Sequence, residues 1–286
     1  VVKLQVMRPA PADINGDNST DLVLYEERAG KWYVCSVADG VLAYGSQLGG
    51  QGYKPVLGDF DGDGCSDIGV YRDITAGWYA RRLSEDRLLV SAMWGGLGME
   101  SVVGDYDGDG RSDLGVYDRA TGLWYILSVD GRILAWAMPW GGQWYSPVAG
   151  DFDGDARSDL VAYGSETGDW YIRSLGGSLI TWGALWGGRG LRAMTGDFDG
   201  DGADDLAAYQ EATGNWFVYS LTAGVLAWGV NWGGAGYTPV VGDYDGDGKA
   251  DIGAYHEATG TWYARTLSGR LVFWGFPWGG PGMKPL

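Results

Sequence analysis

The sequence predicts an all-β fold, a six-bladed β-propeller of four-stranded antiparallel blades. Three observations lead there: an Asp-rich nonapeptide returns at a fixed interval, four short strand-like runs fill each interval, and no apolar pattern has the helical period. The strings DINGDNSTD, DFDGDGCSD, DYDGDGRSD, DFDGDARSD, DFDGDGADD and DYDGDGKAD begin at Asp13, Asp59, Asp105, Asp151, Asp197 and Asp243, 46 residues apart each time. The same interval separates Tyr25, Tyr71, Tyr117, Tyr163, Tyr209 and Tyr255, and likewise Trp32, Trp78, Trp124, Trp170, Trp216 and Trp262. It also spaces the Trp-Gly-Gly connectors at Trp94, Trp140, Trp186, Trp232 and Trp278, with Leu48 in the first unit's place. Six units account for 276 of 286 positions, so residues 1–286 read as one domain with repeats beginning near 7, 53, 99, 145, 191 and 237.

The second unit shows the elements in order. Tyr53–Gly58 is a first strand, and the Asp-rich loop comes next. Asp67–Arg72 is a second strand, ended by a turn that reads EATG in later units. Gly77–Leu83 and Arg87–Trp94 are the third and fourth, joined by a polar turn, and Gly-Gly leads to the next unit. The strands are apolar on both faces: Ile68 and Val70 point one way and Tyr71 the other, and in the third unit Trp136, Met138 and Trp140 are expected on one face. Such a sheet must be covered on both sides, and four strands per ~40–50 residues, stacked around an axis, is the arithmetic of a propeller. Small residues at Gly69, Gly115 and Gly253 would let neighbouring blades approach.

Two segments compete for one place at the ring's closure. Met7–Ala12 registers with Tyr53–Gly58 and would supply the first blade's first strand, yet Pro281–Leu286 registers with Gln51–Val56 and would fill the same position. Six blades are favoured, with a seven-bladed or partial ring as the alternative.

Composition narrows the function. The formal charge of −17 disfavours a nucleic-acid backbone as partner, one His leaves little room for His-based chemistry, and no apolar run approaches the ~18 residues of a membrane helix. The opening VVKLQV carries no signal-peptide pattern, so an export signal is expected to have been removed or to lie outside this sequence.

The Asp-rich loops read as metal sites. In each, oxygen donors fall at positions 1, 3, 5 and 9, with the backbone carbonyl at position 7. The proposed ligands are Asp13, Asn15, Asp17, Ser19 and Asp21; Asp59, Asp61, Asp63, Cys65 and Asp67; and Asp105, Asp107, Asp109, Arg111 and Asp113. The remaining three sets are Asp151, Asp153, Asp155, Arg157 and Asp159; Asp197, Asp199, Asp201, Ala203 and Asp205; and Asp243, Asp245, Asp247, Lys249 and Asp251. Without a cation the carboxylates would repel one another, and no Lys or Arg near them recurs with the period to neutralise them. Position 12 is Val70, inside a strand, where an EF-hand needs Glu. A crowded all-oxygen shell suits Ca²⁺ better than Mg²⁺, so up to six structural Ca²⁺ are expected. Four aspartates in five loops and three in the first account for 23 of the 37 acidic residues, and six Ca²⁺ would bring the net charge from −17 to −5. The first loop has Asn15 for an Asp and Asn18 for Gly, and the fourth has Ala156 at the Gly position. These two sites are expected to bind most weakly.

The unit D-[FY]-D-G-D-G-x-[SA]-D-[IL], followed by Y-x-x-x-T-G-x-W-Y and W-G-G-x-G-x-x-P, resembles the FG-GAP/VCBS repeat family of bacterial exported proteins, related in fold to the integrin α-subunit propeller. The resemblance runs from about Met7 to Leu286 and implies a propeller with calcium in the hairpin between the first two strands of each blade. The family it implies includes adhesion modules, lectin-like propellers and accessory domains of polysaccharide-degrading enzymes.

Fifteen of the 16 Trp are periodic and are read chiefly as core, those at blade tips or in connectors keeping a chance of stacking on sugars. Trp144 stands where the other units keep Gly, which makes it, with Tyr145, the first candidate for ligand contact; Arg189 and Arg192 in the next connector are weaker ones. Cys35 and Cys65 do not share a register, so no disulfide is expected. No carboxylate pair stands apart from the loops, and no nucleophile or nucleotide motif appears, so an enzyme is not expected. The expected function is a secreted or cell-surface, calcium-stabilised, non-catalytic module that binds a carbohydrate. A protein-docking adhesion scaffold is the alternative, and a polysaccharide-processing enzyme or its accessory domain the third reading. Neither nucleic acid nor membrane insertion is expected.

Overall fold

A computed structural model describes residues 11–286. Six four-stranded antiparallel sheets form six blades. Blade 2 comprises Lys54–Gly58, Asp67–Arg72, Gly77–Arg82 and Arg87–Met93, within one residue of the bounds read from the sequence. Blade 3 spans Met99–Gly104 to Ile133–Pro139, blade 4 Tyr145–Val148 to Leu179–Leu185, blade 5 Arg192–Gly196 to Gly224–Asn231, and blade 6 Tyr237–Gly242 to Leu271–Pro277. Blade 1 takes its first strand from the C-terminal end: Lys284–Pro285 pairs with Tyr25 and Leu24 ahead of Lys31–Ser36 and Gly40–Gln47. The Leu286 N–H adds a hydrogen bond to the Val23 carbonyl (3.2 Å). The C-terminal contender therefore closes the ring; most of its rival, Met7–Ala10, lies outside the described residues.

The core lies between blades. Tyr25 and Trp32 of blade 1 pack with Ile68 and Val70 of blade 2, and Tyr255 and Trp262 of blade 6 with Leu22 and Leu24 of blade 1. The periodic motif explains itself through one junction. Trp32 Nε1 donates to the Leu48 carbonyl (3.0 Å), and the Tyr25 hydroxyl accepts from Gly50 N–H (2.9 Å). A Cβ on Gly49 would lie 2.6 Å from that hydroxyl, and one on Gly30 2.7 Å from the Gly49 carbonyl. The left-handed turn residue (Gly in five blades, Ala76 in blade 2), the Tyr, the Trp and the Gly-Gly connector thus form one interlock per blade, each satisfying groups that burial would otherwise orphan.

One expectation about faces is corrected. In five blades the fourth strand carries a β-bulge at a residue of positive φ: Gly45, Ala137, Gly183, Gly229 or Gly275. The extra residue reverses the alternation, so Met138 pairs with buried Trp124 while Trp136 turns to the opposite face, against Tyr125. Blade 2 has Ser91 at the bulge position and pairs there without a shift.

Candidate functional site

In blades 2–6 the hairpin between first and second strands wraps its loop around the leading aspartate, and the first loop, just ahead of Leu22–Glu26, does the same around Asp13. Asp59 Oδ1 accepts the N–H groups of Gly62 (2.7 Å) and Asp63 (3.2 Å), and Oδ2 that of Gly64 (2.8 Å). Asp67, at position 9, accepts the Phe60 N–H (3.0 Å), as Asp21, Asp113, Asp159, Asp205 and Asp251 do from their own second residues. Sharp turning needs a left-handed sixth residue. Gly64 supplies it at φ 86°, whereas Asn18 (64°) and Ala156 (66°) adopt it against a steric cost of ~1–2 kcal/mol.

Carboxylate oxygens of positions 1, 3 and 9 converge to within 4.8 Å of one another in five loops: Asp59, Asp61 and Asp67; Asp105, Asp107 and Asp113; Asp151, Asp153 and Asp159; Asp197, Asp199 and Asp205; Asp243, Asp245 and Asp251. The position-5 residues Asp63, Asp109, Asp155, Asp201 and Asp247 stand outside these clusters, one oxygen of each turned back to the N–H of position 7. In the first loop Asp17 does the same to Ser19, and the Asn15 amide donates to Asp17 and Asp39.

Whether these residues suit a cation is testable on their own chemistry. Oδ1 of Asp61 and Asp245 at position 3, and of Asp21 and Asp113 at position 9, are buried with no hydrogen-bond partner. Burial first, with the neighbouring loop carboxylates adding to it, pushes Asp21, Asp67, Asp113, Asp205 and Asp251 up to about 7. Buried, unpaired, mutually repelling carboxylate oxygens are costly unless protonated or bound to a metal. An all-oxygen set fits a hard cation, and Ca²⁺ in particular.

The six loops are also joined to one another. The N–H of position 8 donates to the backbone carbonyl of the preceding loop's leading aspartate: Ser66 to Asp13 (2.5 Å), Ser112 to Asp59, Ser158 to Asp105, Asp204 to Asp151 (2.6 Å each), and Ala250 to Asp197 (2.7 Å). Thr20 to Asp243 (2.6 Å) completes a closed belt.

The expectation that no cation recurs beside the loops is corrected. Arg132 and Arg270 share a register and reach Asp107 (2.7 Å) and Asp245, while Arg82 and Arg87 reach Asp61 (2.5 and 2.7 Å). They arrive from the third strand's end, the following turn and the first residue of the fourth strand, 21–26 residues along the chain, beyond what the loop's own sequence displays.

The second assembly is aromatic. Trp32, Trp78, Trp124, Trp170, Trp216 and Trp262 are fully buried, as expected of core. Trp136 (67% exposed), Trp182 (68%), Trp228 (72%) and Trp274 (68%) are not, which overturns the core reading for these four; the bulge that turns them outward is the reason. Each stands edge-on to the preceding connector Trp: Trp94–Trp136 at 5.8 Å, Trp140–Trp182 at 5.9 Å, Trp186–Trp228 at 5.7 Å and Trp232–Trp274 at 5.6 Å. A third-strand ring, Tyr125, Tyr171, Phe217 or Tyr263, meets it at 5.0–5.3 Å. Tyr44, with Tyr33 and Trp278, forms a fifth station. At the sixth place Val90 is buried. The signal in the sequence was a large aromatic followed by Gly or Ala inside a strand: YG, WA, WG, WG and WG.

Trp144 is exposed, and Tyr145 lies edge-on to Tyr171 at 5.5 Å with its hydroxyl on Asp169 (3.2 Å). Arg189 is exposed beside Glu166 (3.8 Å), and Arg192 is exposed on the next first strand. Among the described residues no hydrogen bond, ion pair or ring contact joins Trp144 or Tyr145 to either arginine. Cys35 and Cys65 are free thiols.

The model of the FG-GAP-like repeat matches residues 105–162, a stretch that holds the third and fourth Asp-rich loops and the strands between them. No curated protein matches the sequence. Among solved structures, the chain is similar to a lectin of Agrocybe aegerita that recognises non-reducing terminal N-acetylglucosamine (15% identity, 96% of this chain and 78% of that one, TM-score 0.57). It is similar also to a protein of unknown function from Bacteroides caccae (12%, 93% and 99%, 0.55) and to BBS1N in its complex with ARL6DN (14%, 96% and 82%, 0.51). At these identities the likeness speaks to fold.

Proposed function

The chain belongs to the FG-GAP/VCBS repeat propellers, one stretch matching the family's repeat directly and the other blades repeating its motif, and on that premise we propose a calcium-held, non-catalytic binding module whose ligand is a carbohydrate. The observation that carries the reading is the ring of five outward aromatic stations. Large rings left in water at equivalent places mark a binding surface, and separate flat platforms suit pyranose rings, whose C–H faces stack on aromatic faces. That a lectin shares the fold supports the reading. Trp144 with Tyr145, and more weakly Arg189 and Arg192, are proposed as an accessory contact on the connectors.

The aspartate loops serve as the frame. The residues at positions 1, 3 and 9 of each loop, aspartates in loops 2–6 and Asp13, Asn15 and Asp21 in the first, would hold Ca²⁺, which supplies positive charge where the loop meets its strands; the belt of backbone hydrogen bonds ties each site to the next. We propose sites of the weaker extracellular kind, Kd ~10⁻⁴–10⁻³ M, which fill only where calcium is millimolar, and hence a module that works outside the cell. A glycan array at 1 mM calcium tests the reading. Binding that falls when Trp182→Ala and Trp228→Ala are combined supports it; a silent array with a saturable protein partner would replace it by the docking scaffold, and turnover of a polysaccharide by an enzyme.

A further inference from the structure

The five stations are not alike. The third-strand position two residues beyond the station ring is Cys35, Leu127 and Tyr219 in blades 1, 3 and 5, and Arg81, Arg173 and Arg265 in blades 2, 4 and 6. Tyr171 and Arg173 share a face of their strand, as Tyr263 and Arg265 do. The Arg173 guanidinium lies over the ring of Trp140 (5.4 Å), the Trp that meets exposed Trp182, and Arg265 lies over Trp232 (5.6 Å), which meets Trp274. Arg81 is different: it is tied to Asp86 and to the Gln47 carbonyl, in the blade whose station is missing. Among the described residues neither Arg173 nor Arg265 pairs with a carboxylate. Among the described residues each makes one hydrogen bond, through Nε to the next residue's carbonyl, Ser174 (3.3 Å) and Thr266 (3.4 Å), and none through Nη. In a chain of net charge −17, two in-register guanidiniums one ring removed from exposed Trp182 and Trp274, with no acidic partner among the described residues, are a specific provision.

We infer that the stations between blades 3 and 4 and between blades 5 and 6 take an acidic sugar residue, its ring on Trp182 or Trp274 and its carboxylate or sulfate on Arg173 or Arg265. The inference rests on the carbohydrate reading above and adds the charge of the ligand. A planar fork is suited to an oxyanion, and stacking on Trp holds it ready. The stations at Trp136, Trp228 and Tyr44, which lack the arginine, take neutral residues.

The test is an array of uronate-, sialate- and sulfate-bearing oligosaccharides, each beside its carboxyl-reduced, desialylated or desulfated counterpart, at 1 mM calcium throughout. The acidic members should bind the protein about tenfold more tightly than their neutral counterparts. The double variant R173Q/R265Q, with an unchanged melting temperature, should lose that margin and keep the neutral binding. Equal binding of acidic and neutral members, or a margin untouched in the double variant, overturns the inference. If neutral glycans still bind and W182A/W228A abolishes it, only the arginine assignment has failed; if W182A/W228A leaves all binding intact, the carbohydrate reading of the rim falls with it.

Discussion

Strip the protein of metal and the sign of its pH dependence becomes diagnostic. Asp21, Asp67, Asp113, Asp205 and Asp251 are pushed up to about 7 by burial, against 3.8 for an exposed aspartate. Between those limits the folded chain holds protons that the unfolded chain has released, so stability falls as pH rises. Each such carboxyl adds a slope of ~1.4 kcal/mol per pH unit, so even one of the five would be visible in a melting curve. Calcium requires the ionised carboxylates, so its contribution runs the other way, growing as the pH rises. The assay is the melting temperature at pH 5.0 and 7.5, in metal-free buffer and in 5 mM calcium. The stripped protein should melt at a higher temperature at pH 5.0, and calcium should stabilise far more at pH 7.5. A stripped protein whose melting temperature is flat or rises with pH would refute the reasoning, because the clustered carboxylates would then carry no penalty when ionised.

Three further outcomes concern individual residues. Ala156→Gly should raise stability by ~1 kcal/mol, measured by urea unfolding, because Ala156 sits at φ 66° where Gly is unstrained. Gly115→Ala should destabilise by more than ~1 kcal/mol in the same assay, since a Cβ there would meet the Val102 carbonyl oxygen at 2.3 Å. Val90→Trp should not build a sixth station but cost ~1–3 kcal/mol, because Val90 faces the core in the one fourth strand that lacks a bulge just after this position; an added glycan site in titration would contradict this.

The sequence made the blades legible because three signals of one period, the aspartate loop, the Tyr–Trp pair and the Gly-Gly connector, mark the same three turns. Strand bounds in blade 2 were read to within a residue for that reason. What escaped was anything set by a single-residue slip. Alternation placed Trp136 beside Met138, and one left-handed Ala137 reversed it, turning a ring read as core into surface. Charge partners were hidden by separation: Arg132 reaches Asp107 across 25 residues, and only the folded hairpins show the approach. Closure was undecidable from register alone, since Met7–Ala12 and Pro281–Leu286 carry the same signal; pairing of Lys284 with Tyr25 gives the place to the C-terminal segment.

The claim on which the rest depends is that the loops hold cations, and anomalous diffraction from crystals grown in millimolar calcium tests it most directly. The account predicts a peak in the hairpins, strongest in loops 2, 3, 5 and 6, with oxygens of the first, third and ninth aspartates at ~2.3–2.6 Å. Loops without anomalous signal, their aspartates held by Arg82, Arg132 and Arg270 or by water alone, would contradict it.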